Sequence, residues 1–419
     1  MTCKPKKHSF LRQSPENLLL VMAFVMPMTF SVWQALLNNF VIEQAHFTGQ
    51  EIGILQSLRE IPGFLAFTAI FLLLLFTEQT IAYVSLIIMS IGVAVTGFWP
   101  TAVSLYLTTI LMSVGFHYFE TINQSLTLQW LPKDKTAGFM GKVLAVRGFS
   151  ALLAYGSIWL LMEIAQISYQ SMYLIAGCTG IIIVLSIGII FPRFPQKTAQ
   201  NKTLVLRKRY CLYYLLTFLS GARRQIFIVF AGFMMVEKFH YSVGEISLLF
   251  LINYAFNMIF APAIGRWISR IGEKRTLIIE YTGLIIIFTG YAFTEQAYIA
   301  AILYVLDHLF FALAIAIKTY FQKIADPKDI AASSGVSFTI NHIAAVIIPA
   351  LLGLIWVHSN TFVFITGSFF AFCSLLLACM IPKHPDRGNE TIYRRTTRII
   401  PIKHLYSKKT VNRPQKKNG

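Results

Sequence analysis

Charge is scarce in this sequence. Only 13% of its 419 residues are Asp, Glu, Lys or Arg, whereas 56% are hydrophobic. Soluble domains carry roughly twice that charged fraction, and a water-soluble chain of this size needs polar surface to cover its core. The mean hydropathy of +0.63 points the same way. This composition excludes a disordered protein, a collagen-like chain and a small disulfide scaffold, and it predicts a protein that crosses a membrane many times.

Cysteine and the common catalytic motifs are also scarce. No two of the five cysteines have a CxxC spacing, so we expect neither a disulfide framework nor a metal site, and we predict no cofactor. The sequence contains neither the nucleotide-binding pattern GxxxxGK[ST] nor the nucleophile pattern GxSxG. We therefore expect neither direct drive by ATP nor an enzyme.

Twelve apolar runs are long enough to cross a hydrocarbon core of ~30 Å. We interpret each run as a membrane span and number the spans in chain order. Their predicted limits are 17–38, 51–76, 80–98, 101–122, 139–162, 171–191, 210–236, 243–265, 275–294, 297–321, 331–357 and 361–381.

The positive charges lie in alternate connections between these spans. The net charge is +18, from 36 Lys and Arg against 18 Asp and Glu, but every second connection contains almost none of the basic residues; Lys238 is the exception. By the positive-inside rule, both termini are predicted to be cytoplasmic. We expect the plasma membrane, which in a bacterium is the inner membrane. Topology explains the basic balance, so no nucleic-acid partner is predicted.

Two short patterns recur at almost the same distance along the chain. The segment Phe47–Leu55 opens span two, and the similar segment Tyr241–Leu249 opens span eight, 194 positions later. Pro132–Asp134, between spans four and five, recurs 195 positions later as Pro327–Asp329, between spans ten and eleven. Two matches at corresponding loops predict duplicated six-span halves in parallel orientation.

The longest polar connection divides the chain into these halves. We predict an N-terminal half at 1–191, a cytoplasmic central loop at 192–209, a C-terminal half at 210–382 and a basic cytoplasmic tail at 383–419. The tail is interpreted as a solvated extension held near anionic membrane lipid. A regulatory or partner-binding segment is the alternative.

The segment from Gly265 to Arg275 resembles a cytoplasmic loop motif of the major facilitator superfamily. Gly265, Arg270 and Gly272 match its glycines and a basic position, whereas Ser269 stands where the motif usually has Asp. The resemblance implies an all-α membrane protein with twelve transmembrane helices in two pseudo-symmetric halves. It also implies a secondary active transporter that moves a small solute by alternating access, with spans one, four, seven and ten around a central cavity. We expect a monomer.

Adjacent arginines in the middle of span seven are the leading candidates for solute binding. Arg223 and Arg224 point about 100° apart on a helix, so one can face a cavity while the other meets a neighbouring helix. Arginine holds carboxylate or phosphate groups bidentately, which favours an anionic solute. The alternative is an internal ion pair, for example between Arg223 and Asp307, that locks the two halves. Four amides complete the predicted binding set: Gln34, Asn38, Asn253 and Asn257.

Two pairs of residues are candidates for proton coupling. His117 and Glu120 share a helix face at i, i+3 spacing, and Asp307 is followed by His308. A histidine beside a carboxylate can exchange protons near neutral pH. Structural polar packing is the alternative, and a single pair of this kind is weak evidence for a metal.

A third group of residues is predicted to form gating contacts or ion pairs. Arg59 and Glu60 precede a Pro-Gly pair that would bend span two. Arg147 is expected to pair with Glu120, and the motif residues Gly265, Arg270 and Gly272 complete the group. Glu280 is expected near the membrane interface, where its carboxylate would reach water.

The leading function is therefore proton-coupled transport of a small solute, and the adjacent arginines favour an anionic one. A lipid or amphiphile translocator, or a drug exporter, on the same fold is the alternative. A non-transporting membrane sensor and an integral membrane enzyme fit the pattern less well, because the buried charges are deep and spread over several spans.

Overall fold

The fold is described from a computed structural model, which covers residues 13–73, 75–131, 133–195, 206–326 and 330–392. Within these ranges the chain is nearly all helical, and the only extended pairing is an isolated bridge between Asp386 and Asn389. Residues 1–12, 196–205 and 393–419 lie outside the described part, so much of the predicted central loop and basic tail does too. The four predicted domain limits stay predictions.

The first half contains six helical spans, of which the second and fifth change helix type along their length. Span two is Gly49–Phe64 continued by short helices at Ala66–Thr68 and Ala69–Leu72, and span five is Lys133–Ile158 followed by a π-helical turn, Trp159–Ile164. The other four are Pro15–Glu43, Glu78–Val95, Ala102–Trp130 and Tyr169–Ile190.

The second half repeats this arrangement. Span seven is Cys211–Gln225, a π-helical turn Ile226–Ala231, and Gly232–Glu237, and span ten is Ala297–Phe311, Ala312–Ala314 and Ile315–Ile324. The other four are Val243–Ile271, Glu273–Phe293, Ile330–Trp356 and Asn360–Cys379.

The prediction of twelve spans is confirmed. Ten of these helices are long and apolar enough to cross a membrane, and Val243–Phe256 is a shorter apolar helix at the start of span eight. Span two stands apart because it breaks after Phe64, shortly beyond Pro62, and carries Arg59 and Glu60. The loss of backbone hydrogen bonds at a proline accounts for such a break.

The repeat seen in the sequence has a structural basis at the starts of spans two and eight. The hydroxyl of Thr48 and the carboxylate of Glu51 form a capping box at the first, and Ser242 and Glu245 form one at the second. In a capping box each side chain satisfies a backbone N–H that the helix leaves free. The recurring segments are therefore helix-start signals at equivalent positions of the two halves.

The packing of the spans is the same in both halves. Span one packs against five and six, span three against four and six, and span two against four. In the second half, span seven packs against eleven and twelve, span nine against ten and twelve, and span eight against ten. Spans two and eleven, and spans five and eight, join one half to the other. These are two pseudo-symmetric six-helix halves, as predicted.

A matched polar contact lies at the same end of each half. We call this end the basic end, and among the described residues it carries 191–195, 206–207 and 380–392. The carboxylate of Glu78 accepts from Nε2 of Gln129 at 2.8 Å in the first half. The carboxylate of Glu273 binds Nζ of Lys323 at 2.7 Å in the second. Both acidic residues lie in the first turn of their helices, where the helix dipole favours negative charge.

Part of the predicted tail is ordered against the basic end. Nε of Arg387 donates to the carbonyl of Ala325 at 3.1 Å, and the hydroxyl of Tyr320 donates to the carbonyl of Glu390 at 2.5 Å. Residues 383–392 therefore pack on the end of span ten, whereas the sequence predicts a solvated extension for the whole tail. These residues are held there by the two hydrogen bonds to backbone carbonyls and by the buried ring of Tyr320.

Glycines bring spans two and eleven into close contact at the end of the bundle away from the basic end. A Cβ atom at Gly53 would lie 2.4 Å from the carbonyl oxygen of Pro349, and one at Gly353 would lie 2.5 Å from the carbonyl oxygen of Gly49. Real Cβ atoms do not approach backbone this closely. Nearby, the backbone N–H of Ala350 donates to the hydroxyl of Ser57 at 2.9 Å. Only small residues permit this junction between the halves.

We expect Gly53→Ala to destabilise the protein by about 1–3 kcal/mol, because the added methyl group overpacks a contact between two backbones. The measurement is the midpoint of thermal unfolding in detergent. Gly156→Ala is the matched control, since a Cβ there meets no atom within 4 Å and alanine is the better helix former. Equal midpoints for the two variants would contradict the proposed close contact.

Candidate functional site

The two arginines of span seven have opposite surroundings. Arg223 is completely buried, whereas its neighbour Arg224 is exposed although both lie in the middle of the span. Their side chains diverge as expected for adjacent positions on a helix. The sequence predicts that one arginine meets a neighbouring helix while the other faces a cavity. The two side chains indeed have different surroundings, so they can have different roles.

Arg223 points into the interior of the second half. Its Nη1 lies 3.7 Å from Oε1 of Glu280 on span nine, and its guanidinium carbon lies 4.3 Å from the ring centre of Tyr281. Its Nε also donates to the carbonyl of Leu219 at 3.2 Å. Asp307 of span ten, completely buried, is close enough to interact electrostatically with Arg223. This placement favours the ion-pair alternative over solute contact at Arg223.

Two details of the sequence expectation are wrong. Glu280 was expected at the interface, but it is completely buried, because span nine starts at Glu273 and carries Glu280 almost two turns into the bundle. The pair was expected to lock the two halves together. All its members belong to the second half, since Arg223, Glu280 and Asp307 lie on spans seven, nine and ten.

This buried group is unbalanced in charge. One guanidinium faces two carboxyl groups, and none of the four carboxyl oxygens of Glu280 and Asp307 has a hydrogen-bond partner. If both carboxyl groups were ionised, one negative charge would have no compensating cation, which is costly in a low-dielectric interior. A proton on one carboxyl group would remove the imbalance, so the group is chemically able to hold a proton.

Arg224 faces polar groups of both halves. It interacts electrostatically with Arg59 and Glu60 of span two, with Tyr254 of span eight and with His308 of span ten. The Tyr254 ring in turn lies 5.4 Å from the ring of Tyr155 on span five, measured between centroids. The exposed guanidinium of Arg224 therefore faces charged and polar residues of both halves.

A second cluster of titratable groups joins the halves. Glu60, His117 and His342, on spans two, four and eleven, are all buried, and each offers a ligand atom within 4.8 Å of the others. Oε2 of Glu60 lies 3.7 Å from Nε2 of His342, and the two imidazole centroids are 5.3 Å apart. Sequence reasoning missed this group because span eleven is distant in the chain, although His342 is visible as a lone ionisable residue in an apolar run.

The predicted pairing of His117 with Glu120 is replaced by two separate contacts. Glu120 forms a bidentate pair with Arg147 of span five, at 2.6 and 3.2 Å. His117 instead shares its surroundings with Glu60 and His342. The i, i+3 spacing predicts that the two residues share a helix face, but each side chain contacts a different helix. The predicted Arg147–Glu120 pair is present.

The predicted amides fall into different environments. Gln34 and Asn38 are half-buried on span one, and a Cβ at Gly232 would lie 2.8 Å from Nδ2 of Asn38, so spans one and seven are close here. Asn253 is buried with neither amide atom hydrogen-bonded. The side chain of Asn257 lies outside the described part of the structure.

The predicted gating residues occupy two places. Arg59 donates from Nε to Oε1 of Gln56 at 2.7 Å and forms an ion pair with Glu60, beside the halves' junction. Arg270 is exposed in the last turn of span eight, and Gly272 has a φ of +81°, a conformation that favours glycine. Gly265 lies within the helix of span eight, and its contacts lie outside the described part of the structure.

Comparison with known proteins identifies the fold and a family resemblance of the C-terminal half. The sequence profile of the Major Facilitator Superfamily matches residues 213–411, slightly less than half of the chain. The nucleoside transporter NupG superposes with a TM-score of 0.73 at 16% identity, covering 87% of this chain and 99% of that one. The C-terminal half therefore resembles the Major Facilitator Superfamily, and the chain shares the fold of the NupG structure.

Two further solved structures share this fold. A bacterial homologue of the human lysosomal transporter Spinster, in an inward-facing and occupied conformation, gives a TM-score of 0.63 at 14% identity, covering 90% of this chain and 97% of its own. A POT family transporter in complex with 5-aminolevulinic acid gives 0.67 at 12% identity, covering 87% and 94%. No curated protein matches the sequence. The chain accordingly has the fold of these transporters, and its ten helices that are long and apolar enough to cross a membrane fit a multi-pass membrane protein.

We expect Arg223→Gln to destabilise the protein by about 3–5 kcal/mol, because it leaves the buried Glu280 carboxylate without its cation. Arg224→Gln, one position along and exposed, is the matched control and should change stability little. Thermal unfolding in detergent measures both. The double variant Arg223→Gln/Glu280→Gln should recover much of the loss; a purely additive result would argue against the ion pair.

Proposed function

We propose that the protein transports a small solute with an anionic group by alternating access, coupled to the movement of protons. Arg224 contacts the anionic group, and the buried Arg223–Glu280–Asp307 group carries the proton. The observation that supports solute binding most directly is the exposure of Arg224 in the middle of span seven, opposite charged residues of the other half.

The choice of an anion follows from the chemistry of arginine. A guanidinium is always charged and presents parallel N–H donors that match a carboxylate or a phosphate. Deep in a membrane protein, such a charge is retained at a cost and marks a pathway. His308 and Tyr254 lie around Arg224 and offer further donors to the same group.

The choice of the proton follows from the imbalance of charge within the second half. The Arg223 cation compensates one of the two buried carboxylates, and protonation of Asp307 would compensate for the other. Loss of that proton would leave an uncompensated charge, which favours a conformation in which water reaches the group. Protonation and conformation would then be coupled.

Alternating access is supported by contacts that join the two halves at one end of the bundle. Away from the basic end, Oε1 of Glu163 accepts from the backbone of Gly244 at 2.6 Å, and Nδ2 of Asn39 donates to the carbonyl of Tyr241 at 2.8 Å. The glycine junction of spans two and eleven lies at this end too. If the basic end is cytoplasmic, as the positive charges predict, these contacts close the end of the protein that faces outward. We propose the plasma membrane as its location, the inner membrane in a bacterium, with both termini in the cytoplasm.

The anionic specificity is tested by ligand-induced thermal stabilisation of the purified protein. Succinate and glycerol 3-phosphate are the anionic probes, and uridine is the uncharged comparison. We expect an anion to raise the unfolding midpoint of the wild type, Arg224→Gln to abolish the rise, and Arg224→Lys to keep part of it, because lysine retains the charge but not the bidentate geometry.

A rise caused by uridine alone, or an unchanged response of Arg224→Gln to the anions, would contradict the proposed contact. Transfer of a fluorescent phospholipid between leaflets of proteoliposomes, insensitive to the soluble probes, would instead support the lipid translocator.

The coupling is tested by uptake of the same anions into proteoliposomes with an imposed pH gradient. We expect the gradient to accelerate wild-type uptake at least several-fold. Asp307→Asn should abolish this acceleration while leaving exchange of internal for external solute, since exchange does not require net proton movement. Uptake that is indifferent to the gradient in the wild type would remove proton coupling from the proposal.

A further inference from the structure

Glu60, His117 and His342 have the composition and arrangement of a transition-metal site. The three residues lie on spans two, four and eleven, and their ligand atoms lie within 4.8 Å of one another. Each residue is no more than 7% exposed. We propose that this cluster binds a divalent transition-metal ion such as Zn²⁺, and that the bound ion holds the two halves together.

The hydrogen bonds of the two histidines leave a nitrogen free on each ring. Nδ1 of His342 lies 2.9 Å from the carbonyl oxygen of Phe338, so this nitrogen carries the proton and Nε2 keeps its lone pair. Nε2 of His117 is buried without any hydrogen-bond partner. Metal-binding histidines in proteins are oriented in this way: one ring nitrogen donates to a backbone or carboxylate oxygen, and the other offers its lone pair to the metal.

The carboxylate of Glu60 has a separate oxygen for each neighbour. Oε1 pairs with the guanidinium of Arg59, whereas Oε2 faces Nε2 of His342 at 3.7 Å. A metal ion on Oε2 would therefore leave the Arg59 contact in place as support for the carboxylate. Two imidazoles and one carboxylate, with a further position open to water, is a known coordination set for first-row metals.

Gly63 leaves the space that this arrangement needs. A Cβ at this position would lie 2.3 Å from Cδ2 of His342, 2.4 Å from its Nε2 and 2.6 Å from Cε1 of His117. The glycine is one turn beyond Glu60 on the same helix face. Its missing side chain thus lets imidazoles from both halves meet beside the carboxylate.

The surrounding charges define which metal fits. Arg59 and Arg224 both interact with Glu60 electrostatically and oppose the approach of a cation. Binding must therefore come mainly from the imidazole nitrogens, which suit Zn²⁺, Ni²⁺ and Co²⁺. Mg²⁺ and Ca²⁺ prefer oxygen ligands and should bind far more weakly.

The placement of the ligands gives the ion a conformational effect. Glu60 and His117 belong to the first half and His342 to the second, so an ion bound to all three can exist only while the halves are together at this point. A ligand that binds one conformation shifts the equilibrium toward it. This consequence rests on the proposed alternating access, whereas metal binding itself does not.

The test is a titration of the purified full-length chain, without a polyhistidine tag, with Zn²⁺ by calorimetry and with Co²⁺ by visible absorption. We expect one ion per chain, with Co²⁺ giving the bands of nitrogen-containing coordination. Glu60→Gln, His117→Gln and His342→Gln should each weaken binding by about 10-fold or more, and Gly63→Ala should do the same by filling the space with a methyl group. His358→Gln, an exposed histidine in the loop after span eleven, is the matched control and should bind like the wild type.

The proposal is overturned if the folded wild type binds no Zn²⁺, if all three ligand variants bind as the wild type does, or if Mg²⁺ binds equally well. Thermal unfolding of each variant without metal shows whether it is folded. Since no solute or pH gradient is present, a negative result would leave the proposed transport activity standing.

The conformational effect is tested in proteoliposomes loaded for solute exchange. Zn²⁺ should slow exchange by the wild type and by His358→Gln, but not by His342→Gln. Zn²⁺ that binds at the cluster yet leaves wild-type exchange unchanged would overturn the joining of the halves. Failure of exchange in every variant without Zn²⁺ would count against the transport proposal instead.

Discussion

The cost of placing charge inside a membrane protein governs this structure. An ionised side chain at the centre of a span costs at least about 2.5–3.5 kcal/mol, so each one needs a partner or contact with water. Arg223 has Glu280, Arg147 has Glu120 and Arg59 has Glu60. Arg224 is exposed between the halves. The apolar helices tolerate these charged groups because each is either paired with an opposite charge or exposed between the halves. The paired charges stabilise the fold, whereas the exposed one is available to a solute.

The fold was largely predictable from the sequence because each segment that crosses a membrane must be apolar and about as long as the membrane is thick. Apolar length gave twelve spans, and alternating basic loops predicted the topology. The internal repeat in the sequence corresponds to capping boxes at Thr48–Glu51 and Ser242–Glu245, which start equivalent helices of the two halves. The break of span two after Phe64 also followed from a local signal, Pro62.

The site was less predictable, because its contacts join residues that are far apart in the chain. Local spacing indicated that His117 and Glu120 would share a face, but the partners of these residues lie on other helices. Nothing near Arg223 in the sequence indicates Glu280, and nothing near Glu60 indicates His342. Periodicity reports the direction of a side chain on its own helix, whereas the identity of its partner depends on how the helices pack.

The two buried clusters differ in whether they cross the boundary between the halves. Arg223, Glu280 and Asp307 lie within one six-helix body, so a rigid rocking motion would carry them together and keep their spacing. Glu60 and His342 lie on opposite sides of the boundary, and the same motion would pull them apart in every cycle. The Arg223–Glu280–Asp307 cluster would therefore keep its protonation state while the halves move. The contact between Glu60 and His342 would instead break and re-form once in each transport cycle.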